Sequence, residues 1–440
     1  MIRSLVAALL ACLCLAGTPR PAAAQANTSQ AETPYVVKRG DTLMSVSSEM
    51  LAGGARDYRR LAEYNRLRDP NKLEPGSTLR IPTAWLKRQA AGVRVIAVAG
   101  DVRAGERLLK LGDVVAEGET VASGANGYAT LEFSDRSVLR VKAQTRVTLE
   151  AHRGAPSLAE FETRLKLGAG AIEAAVAKQR KQDFRVITPT ANMAVRGTEF
   201  RVRGDEAATR TEVTEGRIGV SGARGGEVPV AADFGTLVRQ GEAPAAPVRL
   251  LGAPDLSRVA ELQERPVVRI GFPALETATG YRVVVAEDAD LRNVLVETAV
   301  RGPLVRIIDL RDGDYFYGVR GVDALGLEGR ESRARFRLRA RPLPPAPAGP
   351  VGDARVPPGP VELSWETAED VASFRLQVAS DERFSVLVID REAVTGTRFA
   401  VENLPPGRYW WRASSRRANG EQGPFGDPAS FEVRAPEEAR

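Results

Sequence analysis

The sequence predicts a mainly β protein with several domains. Its 440 residues exceed the length of a typical single domain. Beyond residue 93, short runs of alternating apolar and polar residues are separated by Gly, Asp and Asn, the pattern of half-buried strands joined by turns. No long amphipathic helical pattern interrupts these runs. Only residues 35–82, near the N-terminus, have a mixed pattern in which helices are expected.

The first 24 residues have the features of a signal peptide. Arg3 is followed by an apolar run from Leu5 to Ala16 and by the alanines 22–24. The run is shorter than the roughly 20 residues that a membrane-spanning helix needs. We therefore expect cleavage after Ala24, export to the periplasm in association with the cell wall, and no transmembrane segment in the mature chain. As an alternative, Cys12 would be the acylated residue of a lipoprotein.

Cysteine content and charge limit the chemistry of the mature chain. Both cysteines, Cys12 and Cys14, lie in the leader, so disulfides, thiolate metal sites and cysteine nucleophiles are excluded after cleavage. The formal charge of +6 becomes +4 when the leader, with its two arginines and no acidic residue, is removed. Basic and acidic residues are interspersed without a dense patch, so a nucleic-acid partner is not expected.

Residues 35–82 predict a small β-α-α-β unit. Thr42 follows a tight turn and precedes an apolar helical pattern, which is the position of an N-cap. Pro75 and Gly76 form the turn into the closing strand. The expected elements in order are a strand at Tyr35–Val37, a turn at Gly40–Asp41, a helix after Thr42, a second helix around Tyr58–Asn65, and a strand at Thr78–Ile81.

This segment resembles the lysin motif (LysM). The matching residues are Tyr35, Val37, Gly40, Asp41, Thr42, Leu43, Asn65, Leu73, Pro75, Gly76, Leu79, Ile81 and Pro82. The resemblance implies binding of N-acetylglucosamine-containing glycans, chiefly peptidoglycan, in a shallow groove between the loop after the first strand and the loop before the second. The residues that it assigns to glycan binding are Gly40, Asp41, Thr42, Leu43, Asp69, Pro70, Asn71, Lys72 and Leu73. A turn and a helix cap would also explain Gly40, Asp41 and Thr42 without a ligand.

Residues 93–250 predict an all-β domain. Residues 129–133 and 137–141 read as a hairpin in which Leu131 and Phe133 share one face with Leu139 and Val141. Further strands are expected at Arg146–Leu149, Asp183–Ile187, Glu199–Val202, Thr211–Val213 and Arg217–Val220.

Two groups of phrases make this region resemble the FecR domain. The first group includes Leu111-Gly112-Asp113-Val114 and Ser134-Asp135-Arg136-Ser137, and the second runs from Phe184 to Ala191 and from Val195 to Phe200. The founding members carry signals across the inner membrane, using a cytoplasmic segment and a transmembrane helix. Because a leader occupies that place here, we expect only an extracytoplasmic β domain with a surface for partner proteins.

Two C-terminal segments repeat each other. Tyr281–Asp288 aligns with Phe374–Asp381, and Gly313–Tyr317 aligns with Gly407–Trp411. Each repeat predicts a β-sandwich that resembles a fibronectin type III or immunoglobulin-like module. We place the modules at 262–340 and 361–434, with a Pro-rich linker at 341–360 and further linkers at 25–34 and 83–92. Since neighbouring strand residues point to opposite faces, one of Trp410 and Trp411 is expected in the core.

The sequence gives little support to an enzyme. No GxSxG, HExxH or phosphate-binding glycine loop is present, and a Ser-His-Asp triad would depend on His152, which we interpret as a solvated loop residue. Gly197 is interpreted as a bend, with Arg196 and Glu199 in structural hydrogen bonds or an ion pair. No cofactor or metal is expected. The prediction is a non-enzymatic envelope protein that binds peptidoglycan and presents β domains to unidentified envelope proteins; the alternative is a periplasmic sensor acting through the FecR-like domain.

Overall fold

A computed structural model describes residues 32–87, 89–155, 160–178, 182–366 and 370–435. The signal peptide and the alternative acylation site at Cys12 lie outside the described residues. The chain forms two compact units that divide after Lys87. The described residues are mostly β-strand, with two short α-helices in the first unit. The predicted fold class is confirmed.

The first unit has the predicted β-α-α-β order. Its two strands pair antiparallel, with Val36 opposite Thr78 and Glu32 opposite Pro82. Two 3-10 helices, at 54–57 and 83–85, accompany the α-helices. Leu43, Val46, Leu61, Leu79 and Ile81 form part of its buried core. The elements are β1 (Glu32–Val36), α1 (Leu43–Met50), α2 (Tyr58–Tyr64) and β2 (Thr78–Pro82).

The first unit is longer at both ends than predicted, so the linkers placed at 25–34 and 83–92 are corrected. Residues 32–34 belong to β1 and pair with residues 80–82. After β2, Leu86 is buried and forms a β-bridge with Leu51, and the Ala52 amide donates to the Trp85 carbonyl at 2.8 Å. Residues 89–90 form a strand of the next unit. The tail of the first unit, residues 83–87, is therefore held against the helical region by the buried Leu86 and its bridge to Leu51.

The middle of the chain forms a closed β structure made of two connected sheets. The predicted hairpin is present, with Leu131 opposite Leu139, and the alternating apolar residues fill one continuous core. The strands are β3 (Gln89–Ala90), β4 (Val93–Ala99), β5 (Val102–Ala104), β6 (Arg107–Leu108), β7 (Val114–Val115), β8 (Thr120–Ser123), β9 (Tyr128–Glu132), β10 (Val138–Val141), β11 (Arg146–Ala155), β12 (Glu160–Ala175), β13 (Gln182–Ile187), β14 (Asn192–Val195), β15 (Glu199–Gly204), β16 (Ala208–Glu215), β17 (Arg217–Ser221), β18 (Val228–Ala231), β19 (Phe234–Arg239) and β20 (Val248–Arg249).

Strand β12 belongs to both sheets of this region. Its first half, residues 161–166, pairs in parallel with β13, and its second half, residues 170–175, pairs antiparallel with β15. Gly170, at the change of sheet, has a φ of +100°, and an added Cβ would lie 2.5 Å from the Cα of Thr145. A side chain there would be strained and would clash with backbone. The two sheets are therefore built around one continuous strand.

The first C-terminal module consists of a five-stranded sheet and a two-stranded sheet that enclose an apolar core. Its central strands pair antiparallel, with Val283 opposite Val319. The strands are β21 (Leu262–Gln263), β22 (Val268–Gly271), β23 (Gly280–Ala286), β24 (Val294–Val300), β25 (Leu304–Ile307), β26 (Gly313–Val322) and β27 (Glu328–Leu338).

The second module repeats this arrangement. Strands β23 and β31 have the same sequence of buried and exposed positions, which confirms the predicted repeat. Its core contains Trp365 and Trp411. The strands are β28 (Ala346–Gly349), β29 (Ala354–Val356), β30 (Val361–Glu366), β31 (Ser373–Ala379), β32 (Leu387–Val394), β33 (Arg398–Val401), β34 (Gly407–Arg416), β35 (Gln422–Phe425) and β36 (Ala429–Val433).

The predicted Pro-rich linker at 341–360 is also corrected. Strand β28 pairs with β30, and β29 pairs in parallel with β36, so both lie inside the second module. The Trp411 indole donates to the carbonyl of Pro350 at 2.9 Å. Proline lacks an amide donor but keeps its carbonyl, which here accepts from the core tryptophan. Proline content alone did not reveal that this segment completes a sandwich.

The adjacent tryptophans differ in burial as alternation requires. Trp411 has no exposed surface, whereas Trp410 is half-buried beneath the guanidinium of Arg408. Replacing Trp411 by Ala is expected to lower the free energy of unfolding of the second module by about 3–5 kcal/mol. Trp410→Ala, which removes the same atoms from the other face, should cost clearly less. Urea denaturation followed by circular dichroism measures both; equal losses would contradict the assignment.

Candidate functional site

The two loops that the LysM resemblance assigns to glycan binding leave the same end of the β1–β2 sheet. Val36 and Thr78 are opposite each other where β1 ends and β2 begins. The Val37 amide donates to the Ser77 carbonyl, and the Gly76 amide donates back to the Val37 carbonyl, both at 2.8 Å. This ladder brings the start of the first loop beside the end of the second.

Side-chain hydrogen bonds fix the first loop. Asp41 Oδ2 accepts from the Lys38 amide and from the Tyr35 hydroxyl, each at 2.7 Å. These two hydrogen bonds, the backbone one first, lower the pKa of Asp41. Gly40 has a φ of +93° and no atom near the position of a Cβ. Glycine is therefore favoured there by the backbone conformation and not by a lack of space. Two hydrogen bonds and the Gly40 conformation therefore define the shape of this loop.

Thr42 caps helix α1 as predicted. Its Oγ1 accepts from the Ser45 amide at 3.0 Å, and the Ser45 hydroxyl oxygen accepts from the Thr42 amide at 2.9 Å. This is a reciprocal capping box in which Ser45 takes the place usually held by Glu or Gln. The structural role of Thr42 is therefore established, and a glycan contact at the same residue would be additional to it.

The second loop is a pre-formed turn. Asp69 Oδ1 accepts from the Asn71 amide at 2.9 Å, and the Asp69 carbonyl accepts from the Lys72 amide at 3.2 Å. Asn71 and Lys72 are exposed, and Pro70 and Leu73 are half-buried. The Asn71 and Lys72 amides are used within this turn, so the exposed side chains of these two residues are the groups that could meet an N-acetyl amide, which needs both a donor and an acceptor.

The structure changes the apolar part of the predicted groove. The Leu43 side chain is 1% exposed and belongs to the core, so it cannot cover a sugar face. The next residue, Met44, is 53% exposed in the first turn of α1, beside the first loop. The sequence interpretation missed Met44, although a helical period that places Leu43 and Val46 inward leaves Met44 outward.

His152 is not the solvated loop residue that the sequence suggested. It lies in β11 and has no exposed surface. Its Nδ1 is 3.0 Å from the Thr163 hydroxyl, and its ring stacks on Phe161 and meets Phe133 edge-on. Burial lowers the pKa of His152, which favours the neutral ring. The residue packs in a core, because a β-bulge between Leu149 and Ala151 shifts the alternation of β11 and leaves both Ala151 and His152 buried.

The Arg196 to Glu199 segment is a bend. Gly197 has a φ of +56°, and the Thr198 hydroxyl donates at 3.0 Å to the carbonyls of Arg196 and Arg217. The side chains of Arg196 and Glu199 are exposed. The interpretation of Gly197 as a bend is thus supported, and the threonine hydroxyl makes the structural hydrogen bonds that we had attributed to the charged residues.

A buried charged cluster joins the middle β structure to the first sandwich, and the sequence did not predict it. Glu328, at the start of β27, accepts through Oε1 from Arg203 at 2.6 Å and from Arg282 at 2.9 Å. Its Oε2 accepts from Arg320 at 3.1 Å. Its carbonyl accepts from Arg201 at 2.6 Å. One residue of the sandwich therefore binds two arginines of β15 and two of its own module.

The cluster continues on both sides of the junction. Arg320 also donates to Glu173 of β12 at 2.6 Å, and the Glu328 amide donates to Glu212 of β16 at 3.1 Å. Burial alone would raise the pKa of Glu328, but Arg320, Arg203 and Arg282 hold it well below its ordinary range. Buried charges are tolerated when they are paired and hydrogen-bonded in this way. The two regions are therefore joined by groups that are costly to separate.

The described residues hold no group of three or more His, Cys, Asp or Glu side chains arranged for a metal ion. Within the same residues, no helix has both the length and the apolar character to span a bilayer.

Comparisons with known families agree with both resemblances. Residues 35–82 match the model for the LysM domain, and residues 119–219 match the model for FecR protein. The chain thus contains a LysM domain and a FecR domain. Both are binding or regulatory domains without catalytic activity and are typical of cell-envelope proteins.

Two curated relatives match parts of the chain. An uncharacterized protein of Deinococcus radiodurans is 39% identical over 51 residues, which are 12% of this chain and 20% of that protein. LysM domain-containing GPI-anchored protein 2 of Arabidopsis thaliana is 28% identical over 116 residues, which are 26% of this chain and 31% of that protein. The chain spans a fifth and about a third of the length of these relatives.

Two solved structures are similar to parts of the chain. A candidate anti-sigma factor from Parabacteroides distasonis is 14% identical with a TM-score of 0.25, covering 30% of this chain and 59% of that one. The FN1–FN3 domains of chicken CNTN1 are 14% identical with a TM-score of 0.23, covering 54% of this chain and 98% of that one.

The charged cluster predicts a pH dependence of stability. Burial raises the pKa of Glu212 to about 7; Arg201 and the Glu328 amide oppose the shift, and the Glu328 charge adds to it. The folded protein therefore keeps a proton that the unfolded chain releases above the ordinary pKa of 4.5. This contribution to the free energy of unfolding is complete below pH 4.5 and is lost as the pH rises through 7.

Glu212→Gln should remove that part of the pH dependence. We expect the wild-type protein to lose stability between pH 5 and pH 8 and the Gln variant to lose less, in urea titrations at each pH. The matched control is Glu227→Gln, an exposed position that should keep the wild-type slope. Parallel slopes for the Glu212 and Glu227 variants would show that Glu212 does not hold the proton.

Proposed function

We propose that this protein is a non-enzymatic, wall-associated envelope protein that binds peptidoglycan through its LysM domain. The observation that carries the proposal is the pair of pre-formed loops at one end of the β1–β2 sheet, within residues that match the LysM model. Exposed groups at Asn71 and Lys72 would hydrogen-bond the N-acetyl group, and Met44 would cover the sugar face. The ligand that fits these groups is an N-acetylglucosamine-containing glycan.

The FecR domain and the sandwiches would then present surfaces to envelope proteins, with the protein in the periplasm. Support comes from the FecR match and from the ion cluster, which holds the middle structure and the first sandwich in one arrangement. A fixed arrangement lowers the entropic cost of binding a partner across two domains. The second candidate function, a sensor acting through the FecR domain, is favoured by the same match and differs in requiring a saturable protein partner.

Removal of the first unit should abolish sedimentation with insoluble peptidoglycan. The deletion covers residues 32–87 rather than 35–82, because the tail at Leu86 belongs to the unit. The purified protein is expected to pellet with peptidoglycan, and the deleted form is expected to stay in the supernatant. Equal pelleting of both forms would remove the role of the LysM domain.

A point variant tests the groove itself. Met44→Asp should weaken peptidoglycan binding about tenfold or more, since it replaces an apolar contact of about 1.5–3 kcal/mol by a charge. An acidic residue in the first turn of α1 is compatible with the helix dipole, so folding should be preserved. The control is Glu49→Gln, an exposed change further along the same helix. Unchanged binding of the Met44 variant would place the glycan elsewhere on the domain.

A further inference from the structure

A cleft of about 480 Å³ opens at the junction of the middle β structure and the first sandwich. This volume lies within the range of ligand sites in proteins. Guanidinium groups dominate its lining, with six arginines against three glutamates. The arginines are Arg140, Arg201, Arg292, Arg320, Arg330 and Arg333.

The carboxylates near the cleft do not balance these arginines one to one. Glu173 is shared by Arg140 at 3.5 Å, Lys142 at 3.4 Å and Arg320 at 2.6 Å. Glu331 is likewise shared by Arg320 and Arg333. Glu212 and Glu328 are buried and do not line the cleft. Arg292 and Arg330 are paired outside the lining, with the exposed Asp290 at 3.0 Å and with Asp233. The excess of positive charge is therefore that of the lining side chains alone, six arginines against three glutamates.

Two arginines of the cleft also lack part of their hydrogen bonding. Arg201 and Arg320 are 7% and 5% exposed, and the Nε of each makes no hydrogen bond among the described residues, although Arg201 Nε lies 3.7 Å from Glu212 Oε2. A buried guanidinium donor without an acceptor is costly, so its occurrence twice in one cleft needs an explanation. An anionic group bound in the cleft would compensate for these unpaired donors through its negative charge.

The mouth of the cleft offers arginines that solvent can reach. The side chains of Arg292, Arg330 and Arg333 are 42%, 48% and 42% exposed. Arginine presents a planar fork of donors that matches a carboxylate. A second recess of about 240 Å³ adjoins the cleft and shares Ala175 and Glu199 with it. Its further charged lining is Arg136, Lys178 and Glu215, and Lys178 pairs with Glu215 at 2.6 Å. The combined groove is elongated.

We propose that this groove binds an acidic peptide segment of a partner protein. Carboxylates of the segment would pair with Arg292 and Arg333 at the mouth, and its backbone would run towards the second recess. The elongated shape and the excess of guanidinium groups favour a chain with repeated carboxylates over a single small anion. The inference rests on the proposal that the β modules bind a protein, and it names the chemistry of that partner.

The test is fluorescence anisotropy of the full purified protein with a labelled six-residue peptide of alternating Glu and Gly. A peptide with Gln in place of Glu is the ligand control. The double variant R292Q/R333Q is expected to bind the Glu peptide at least tenfold more weakly, since each change removes a charge-assisted hydrogen bond. The control variant R355Q/R398Q makes the same change in net charge at two positions that are 72% exposed on the second sandwich.

Three results would overturn the proposal: no binding of the Glu peptide, equal binding of the Gln peptide, or equal affinities of the two double variants. Displacement of the peptide by equimolar inorganic phosphate would also overturn it, because the groove would then select a small anion. Peptidoglycan sedimentation of R292Q/R333Q should equal that of the wild type. Failure of the peptide site is therefore distinguishable from failure of the glycan site.

Discussion

The junction between the middle β structure and the first sandwich depends on Glu328. Its carboxylate accepts from Arg203, Arg282 and Arg320, and its backbone reaches Arg201 and Glu212. A carboxylate 5% exposed would be strongly unfavourable without these partners. Arg282 and Arg320 have further carboxylate partners, Glu297 for the first and Glu173 and Glu331 for the second. Because the partners come from β15, β23 and β26, the charge balance exists only when the middle structure and the first sandwich are assembled together.

Buried ion pairs add little net stability, but they fix the relative positions of the groups that form them. Around the cluster, Tyr128 packs against Val284 and Leu291, so apolar contact accompanies the charges at the same junction. Contacts from the first to the second sandwich are different in kind: Arg265 donates to Asp427 and to the Phe425 carbonyl, and Asp427 is exposed. The buried charged and apolar contacts described here thus join the first two regions of this unit, which is where the arginine groove lies.

The sequence correctly predicted the features that depend on residues close together in the chain. The Thr42 cap, the pairing of Leu131 with Leu139 and the burial of Trp411 follow from capping, alternation and turn chemistry within a few residues. The errors have a different origin. His152 looked solvated because the residues around it are polar, yet its strand position faces inward. The Arg201–Glu328 contact joins residues far apart in the chain, and no local pattern specifies which charged strand residues meet.

The position of Glu328 also has an evolutionary consequence. A recombination event that exchanged the first sandwich for another of the same fold would break the Arg203–Glu328 and Glu173–Arg320 pairs and remove the carbonyl that accepts from Arg201. The loss is about 3–5 kcal/mol for a buried charge left without its partner. In the part of the second sandwich that the structure describes, no residue belongs to that cluster, so exchange of this module would cost far less. The middle β structure and the first sandwich therefore form one unit of inheritance, although the sequence pattern divides them into two domains.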